Sequence, residues 1–143
     1  MNKKFYITNK YNSIDTDLYN DYQSCSLDDI DDSEAKELFL DNYLEYVGID
    51  NLASTIEKAV KKLRINGKIK IFGCDAYSIA KKYVAQRLSV EEYNVALHGT
   101  SDKPKISSLS LHELNGLLEK IDGLSIITKS LELDTYIFEA KRT

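Results

Sequence analysis

Apolar residues recur at helical spacing in several segments of the chain. The clearest pattern predicts a helix over 51–63, and its apolar face comprises Leu52, Ile56, Ala59, Val60 and Leu63. We predict that Asp50 caps this helix and that Asn66-Gly67 ends it, because glycine adopts the left-handed conformation at little cost.

Three further helices are predicted downstream. One spans 76–88, and its inward-facing residues are expected to be Ile79, Ala80, Tyr83, Val84 and Leu88. The other two begin with capping boxes, Ser89 with Glu92 and Ser110 with Glu113, in which a serine and a glutamate three residues apart satisfy each other's backbone amides. The Ser89 helix is expected to end at Gly99, and the Ser110 helix to bury Leu114, Leu117, Leu118 and Ile121.

Short apolar and β-branched runs predict strands between these helices. The predicted strands are 4–8, 68–72, 124–130 and 135–141, with a turn over 131–134 between the last two. The run at 35–40 is ambiguous, since its local pattern fits a strand or a helix that begins at Ser33. Strands that alternate with helices favour an α/β fold with parallel strands, and the closing hairpin must add an antiparallel strand.

The segment 9–32 has no clear periodicity and is rich in Asn, Asp, Ser and Tyr. It ends in an acidic run, Asp28-Asp29-Ile30-Asp31-Asp32. More than about twenty residues without an element is long for a compact domain. We therefore expect one domain over 1–143, in which 9–32 wraps over the core or becomes ordered on a partner.

Charge and composition narrow the function classes. The net charge is −4, whereas nucleic-acid binding favours a basic face, so nucleic acid is not expected to be a partner. No apolar run reaches membrane-spanning length, and no signal peptide is recognisable, so we expect a cytoplasmic protein. Ten tyrosines, no tryptophan and few arginines are typical of an AT-rich genome, bacterial or viral; a viral source would place the protein in the host cytoplasm or the virion.

The cysteines and histidines give little indication of metal binding or catalysis. Cys25 and Cys74 are expected to be reduced thiols, and with His98 and His112 they show no metal-ligand spacing, so no metal is expected. Both histidines stand in helix ends, where they are expected to be structural or exposed. The sequence also contains no nucleophile elbow and no phosphate-binding loop, and we name no catalytic residue.

The order and spacing of several motifs resemble one family. Leu44-Glu45-Tyr46-Val47 stands where class I S-adenosylmethionine-dependent methyltransferases have a leucine-glutamate-histidine turn after the fourth strand. The sequence 63–68 stands at the family's proline-glycine-glycine turn, and 75–83 resembles the helix after its fifth strand. The segments 89–94 and 111–114 resemble the family's late insertion and final helix.

This resemblance covers residues 34–143 and implies a reduced, Rossmann-like α/β methyltransferase fold: a mostly parallel sheet with a C-terminal antiparallel hairpin strand. It also favours a strand over a helix at 35–40.

The cofactor-binding part of the family pattern is missing. Family members bind S-adenosylmethionine through a glycine-rich loop after the first strand, but this chain has no glycine before Gly48, and 9–13 follows its first strand. An acidic residue at the end of the family's second strand holds the ribose, and only Asp15 or Asp17 is available for that role. About one helix and one or two strands are expected to be missing.

The carboxyl ends of neighbouring strands define the candidate cofactor site, since open α/β sheets bind ligands at that edge. Besides Asp15 and Asp17, its residues are Asp41, Asn42, Tyr43, Tyr46, Cys74 and Asp75. Helix capping or loop solvation is the competing interpretation of Asp41 and Asp75, and packing is the competing interpretation of the two tyrosines.

Three functions are consistent with these observations. The first is a degenerate, non-catalytic methyltransferase-like domain that binds no cofactor and serves as a binding or structural subunit of an assembly. The second is a minimal methyltransferase that uses S-adenosylmethionine. The third is a structural protein that oligomerises through an exposed strand edge. We favour the first, with a protein partner or a second copy of the chain as its binding partner.

Overall fold

The computed structural model describes residues 3–8 and 21–143 and contains one mixed sheet with helices packed on it. The strands are β1 Lys4–Thr8, β2 Gln23–Ser24, β3 Ala35–Asp41, β4 Leu63–Cys74, β5 Leu124–Glu132 and β6 Thr135–Arg142. The helices are α1 Leu52–Lys62, α2 Ala76–Val84, α3 Val90–His98 and α4 Leu111–Glu119. Single 3₁₀ turns are Leu27–Asp29, Leu44–Tyr46 and Ile49–Asn51.

The strand order across the sheet is β2-β1-β3-β4-β6-β5. The first four strands in this order run parallel, and β6 pairs antiparallel with both β4 and β5. The expected fold class, a reduced Rossmann-like sheet with an antiparallel C-terminal hairpin, is therefore confirmed. The segment 35–40 is a strand, as the family resemblance indicated, whereas the two-residue β2 was not predicted.

The hydrophobic core lies on one face of this sheet. Helices α1 and α4 cover that face, and the 3₁₀ turn Leu27–Asp29 contributes Leu27 to it. The central strands contribute their alternate, inward residues, including Ile7, Leu38, Leu40, Ile69, Ile71 and Phe138. The alternate residues of these strands lie on the opposite face, where the rings of Tyr6 and Phe72 pack edge-on against the buried Phe39. That face also carries charged side chains, and Lys68 pairs with Glu139 at 3.3 Å across β4 and β6.

The junction between α1 and β4 differs from the prediction. Helix α1 ends at Lys62 and β4 follows at once, so Asn66-Gly67 lies inside the strand and does not end the helix. Residues 64–67 form an irregularity, because Ala35 pairs with Leu63 while Glu37 pairs with Lys68. Gly67 is required there for space, since a Cβ would stand 2.8 Å from the Ala35 carbonyl oxygen.

The two ends of α1 differ in how they are satisfied: the C-terminal end is bonded by a group far away in sequence, and the N-terminal end is not capped by a side chain. Asn51, not Asp50, occupies the N-cap position, and its side chain makes no capping hydrogen bond. The predicted Asp50 cap is therefore wrong, because a 3₁₀ turn, Ile49–Asn51, leads directly into the helix. At the other end, the Arg142 guanidinium donates to the Lys61 carbonyl at 3.2 Å and also to the Leu63 carbonyl.

Helix α2 is shorter than predicted. Gln86 adopts a left-handed conformation with φ 61°, and the Arg87 amide donates to the Lys82 carbonyl at 2.8 Å, which closes the helix as a Schellman motif. Tyr83 and Val84 lie within the helix but are exposed, contrary to the prediction that they face inward, and the exposed fraction of Val84 is 81 %. Both predicted capping boxes are present, at Ser89 on α3 and at Ser110 on α4.

Candidate functional site

Three parallel strands end side by side at the edge where the candidate site was predicted. Thr8 pairs with Asp41 across β1 and β3, and Asp41 pairs with Phe72 across β3 and β4. The sheet therefore places Asp41 at the centre of this carboxyl edge. This is the edge at which α/β sheets bind ligands.

Asp41 is held by its neighbours on both sides. The buried Tyr6 hydroxyl donates to Asp41 Oδ2, and the Asn42 side-chain amide donates to Oδ1 at 3.0 Å. The Thr8 hydroxyl donates to the Asp41 carbonyl at 3.1 Å. Asn42 has φ 52°, a left-handed conformation that asparagine tolerates well, and its backbone amide donates to the Phe72 carbonyl at 2.9 Å. Asp41 therefore takes part in a hydrogen-bonded group that joins β1 and β3.

The two candidate tyrosines lie in or next to the turn that follows β3. Tyr43 is half-buried against the hydrophobic core, and this burial raises the pKa of its hydroxyl above the ordinary value. Tyr46 is half-buried at the end of the 3₁₀ turn Leu44–Tyr46. The location of Tyr43 agrees with the packing interpretation, since its ring is in contact with the core.

Asp75 is nearly inaccessible, with an exposed fraction of 2 %, and caps two helices at once. Its Oδ2 accepts the Ser78 amide at 2.8 Å and the Ser78 hydroxyl at 2.6 Å. Its Oδ1 accepts the Leu111 amide of α4 at 2.7 Å. The carboxylate thus joins the N-terminus of α2 to that of α4, which is the capping interpretation extended to a second helix.

Glu45 is a buried carboxylate that the sequence did not identify as part of the site. Its Oε1 accepts the Cys74 backbone amide at 2.8 Å, and its Oε2 lies 3.1 Å from the Lys105 ammonium. Its carbonyl accepts the Ile106 amide at 2.8 Å. Its position in the family-like turn 44–47 was the only available signal, because Lys105 lies sixty residues further on in a polar loop.

The Cys74 thiol is half-buried beside this ion pair. Burial raises its pKa above the ordinary value, although the Lys105 ammonium opposes that shift. Cys74 is therefore disfavoured as a thiolate nucleophile. Both cysteines are free thiols, as expected.

The candidate residues therefore fall into two groups held by different partners. Asp41 and Asn42 belong to the β1–β3 group, while Cys74 and Asp75 lie next to Glu45 and the starts of α2 and α4. Asp15 and Asp17 lie outside the described residues. Within residues 3–8 and 21–143, no three His, Cys, Asp or Glu side chains are grouped as a metal site would require. No helix in the same ranges is long and apolar enough to cross a membrane.

Solved methyltransferase structures share this fold. A S-adenosylmethionine-dependent methyltransferase from Methanosarcina mazei superposes with a TM-score of 0.60 and 10 % identity, over 85 % of this chain and 66 % of that chain. An O-methyltransferase family 2 protein from Planctomyces limnophilus, in complex with apigenin, gives a TM-score of 0.59 and 15 % identity, over 96 % of this chain and 42 % of that chain. An O-methyltransferase family protein from Burkholderia thailandensis gives a TM-score of 0.58 and 13 % identity, over 89 % and 37 %.

The chain thus has a reduced, methyltransferase-like Rossmann fold, and it spans less than two thirds of the length of each of these structures. No protein-family model matches the sequence, and no curated protein is similar to it in sequence.

Proposed function

We propose that this chain is a non-catalytic, methyltransferase-like binding subunit whose partner is another protein. The observation that carries the proposal is that the carboxylates at the carboxyl edge of the sheet are already hydrogen-bonded within the chain. Asp41, Glu45 and Asp75 each accept hydrogen bonds from the chain itself, and Asp75 accepts three. These side chains stabilise turns and helix ends, and a cofactor would have to displace those bonds.

The sequence between β1 and β3 supports the same proposal. Segment 9–34 contains no glycine, whereas the glycine-rich loop of methyltransferases lets the backbone approach the methionine part of the cofactor closely. A side chain at each of those positions keeps the backbone farther from a ligand. The fold is retained, and the residues by which the fold binds S-adenosylmethionine are replaced.

The surface supports a binding role. Helix α3 buries none of its residues completely, although an amphipathic helix normally packs one face against its own domain. The exposed fractions of Val84 and Leu133 are 81 % and 91 %. A partner that covered such side chains would remove apolar area from water and gain the corresponding free energy.

Thermal unfolding with S-adenosylmethionine and with S-adenosylhomocysteine tests the proposal. A ligand that binds only the native state, at about one hundred times its dissociation constant, adds about 2.7 kcal/mol and raises Tm by several degrees. We expect no shift with either ligand, and no saturable heat of binding in calorimetry.

The competing function is a minimal methyltransferase that uses S-adenosylmethionine, and the position of Asp41 at the centre of the carboxyl edge favours it. A saturable shift that is lost in an Asp41→Asn variant, with the variant's own Tm unchanged, would overturn the non-catalytic proposal. Transfer of a labelled methyl group to a cell extract would then identify the acceptor class.

A further inference from the structure

A groove runs between α2 and the β5–β6 hairpin. One part is a cavity of about 440 Å³, lined by α2 residues such as Lys81 and Lys82, by Arg87 and by Leu133 of the hairpin turn. A second cavity, of about 560 Å³, is lined by Tyr77 of α2, Leu131 of β5 and the start of α4, and its lining includes Asp75 and Glu113. We call this surface the α2–hairpin groove and define it by Tyr77, Lys81, Lys82, Arg87, Leu131 and Leu133.

The first of these cavities carries an excess of positive charge, since the described residues that line it include Lys81, Lys82 and Arg87 against the single carboxylate of Asp134. Lys82 pairs with Asp134 at 2.5 Å, but neither Lys81 nor Arg87 has a carboxylate partner among the residues that the structure describes. The Lys81 ammonium lies 5.4 Å from the centroid of the Tyr77 ring, a cation–π contact on the same helix. In the Schellman motif at the end of α2, the Arg87 amide donates to the Lys82 carbonyl, so the backbone of Arg87 lies close to that of Lys82.

Leu133 does not favour the stability of the fold at its position. It occupies a two-residue hairpin turn with φ 55°, where asparagine, aspartate and glycine are strongly preferred. Its side chain is also 91 % exposed, so it gains almost nothing from packing within the chain. The turn therefore presents an apolar side chain that is accessible to another molecule, in a conformation that leucine rarely adopts.

We propose that the α2–hairpin groove binds an acidic peptide segment of a partner protein, whose carboxylates pair with Lys81 and Arg87 and whose apolar side chain packs on Leu133. This inference rests on the proposed binding function. The charge complementarity gives specificity and rate of encounter, and the apolar contact adds affinity.

Two other occupants fit the groove less well. A phosphate group would pair with the cations but would leave Leu133, Leu131 and Tyr77 exposed to water. The acidic run of a second copy is already engaged in its own chain: Leu27 and Ile30 are buried, and Asp32 pairs with Lys62 at 3.2 Å.

Nuclear magnetic resonance on the isotope-labelled full chain tests the proposal. The probe is a short synthetic peptide of Asp and Glu with two central leucines. The control peptide has Asn and Gln in place of the acids, and inorganic pyrophosphate is titrated separately. We expect the acidic peptide alone to shift signals of Lys81, Arg87 and Leu133, with an affinity that falls as salt is raised.

Two variants separate the charge from the apolar contact. Arg87→Glu should weaken binding by about tenfold or more, because it replaces an attraction by a repulsion. Lys103→Glu changes the net charge by the same amount at an exposed position outside the groove, and it should leave binding nearly unchanged. Leu133→Asn should weaken binding while Tm stays equal or rises, since asparagine accepts the left-handed conformation.

Several results would overturn the groove proposal. They are no binding of the acidic peptide, equal losses in Arg87→Glu and Lys103→Glu, or unchanged binding in Leu133→Asn. Binding of pyrophosphate at the same residues without binding of the peptide would assign the groove to a phosphorylated ligand instead. Failure of the binding-subunit proposal has a different signature, a response to S-adenosylmethionine, which the peptide titration does not involve.

Discussion

The Tyr136 side chain is buried against the backbone of the neighbouring strand, with an exposed fraction of 1 %. Its ring fits only because residue 73 is glycine, since a Cβ there would stand 2.1 Å from the tyrosine hydroxyl oxygen. That hydroxyl has no hydrogen-bond partner in the described parts of the chain. Burial accordingly raises the pKa of Tyr136 far above its ordinary value.

This raised pKa predicts a loss of stability at alkaline pH. The unfolded chain releases the Tyr136 proton above about pH 10, whereas the folded chain retains it, so the free energy of unfolding falls as pH rises. The limiting slope is about 1.4 kcal/mol per pH unit. We expect Tyr136→Phe to be as stable as the wild type or more stable at pH 7, and to lose less stability above pH 10; urea unfolding at both pH values measures this.

Tyr77→Phe is the matched control, because it removes a hydroxyl from a residue whose exposed fraction is 63 %. Equal alkaline slopes for the wild type and Tyr136→Phe would show that the buried hydroxyl does not titrate in this way. A large loss of stability in Tyr136→Phe at pH 7 would show that the hydroxyl makes a stabilising contact in solution.

At the scale of elements, one carboxylate fixes the relation between two helices. Asp75 accepts hydrogen bonds from amides in the first turns of α2 and α4, and the α4 donor, Leu111, lies thirty-six residues after Asp75 in sequence. We expect Asp75→Ala to cost about 2 kcal/mol or more, since it removes a cap and leaves partly buried amides of both helices without an acceptor. Chemical denaturation, followed by circular dichroism, measures the change.

Asp50→Ala is the corresponding control, because Asp50 precedes a helix but caps nothing, and we expect a change within about 0.5 kcal/mol. Asp75→Asn retains one acceptor oxygen and should fall between the two. A cost of Asp75→Ala no larger than that of Asp50→Ala would refute the joint capping role.

The helix ends that could be predicted from the sequence are those set by neighbouring residues. Ser89 and Ser110 begin helices because each bonds to an amide three residues away, a contact independent of the rest of the fold. The prediction that Asn66-Gly67 ends α1 was wrong, because Arg142 and the pairing of Leu63 with Ala35 determine that end from distant parts of the chain. The end of α2 at Gln86 could not be predicted, because Gln86 adopts a left-handed conformation that glycine usually provides at a helix end.

The same distinction applies to the candidate site. The carboxyl-edge position of Cys74 followed from the strand pattern, whereas that of Asp41 needed the family resemblance, which favoured a strand at 35–40. The bond from Tyr6 to Asp41 depends on the register between β1 and β3, and the pairing of Glu45 with Lys105 depends on the path of a long loop. Hydrophobic periodicity gives neither the register between two strands nor the path of a loop, so the partners of these side chains could not be predicted.

At the scale of the whole molecule, the exposed edge of β5 is unsuited to pairing with a second copy. A bulge between Ile126 and Thr128 interrupts the strand's regular pairing, and Lys129 adds a charge on the exposed strand. Bulges and edge lysines are features that prevent association of sheet edges. We therefore expect the purified chain to sediment as a single chain over a wide range of concentration.

Lys129→Val should increase self-association, since it removes the charge and leaves a β-branched residue on an exposed strand. Lys120→Val serves as the control, because Lys120 is an exposed lysine at the end of α4 rather than on the edge strand. A wild-type dimer that Lys129→Glu dissociates would show instead that the β5 edge is the interface.

The strand order also has a consequence for how the chain is made. Strand β6 lies between β4 and β5, although both precede it in sequence. While the ribosome is still adding residues 124–132, β5 has no neighbour with which to pair, and the edge of β4 that β6 will occupy is open. The nascent chain therefore exposes one unpaired strand and one open edge of β4 until residues 135–142 emerge, and this interval is when it most needs protection by a chaperone or by its binding partner.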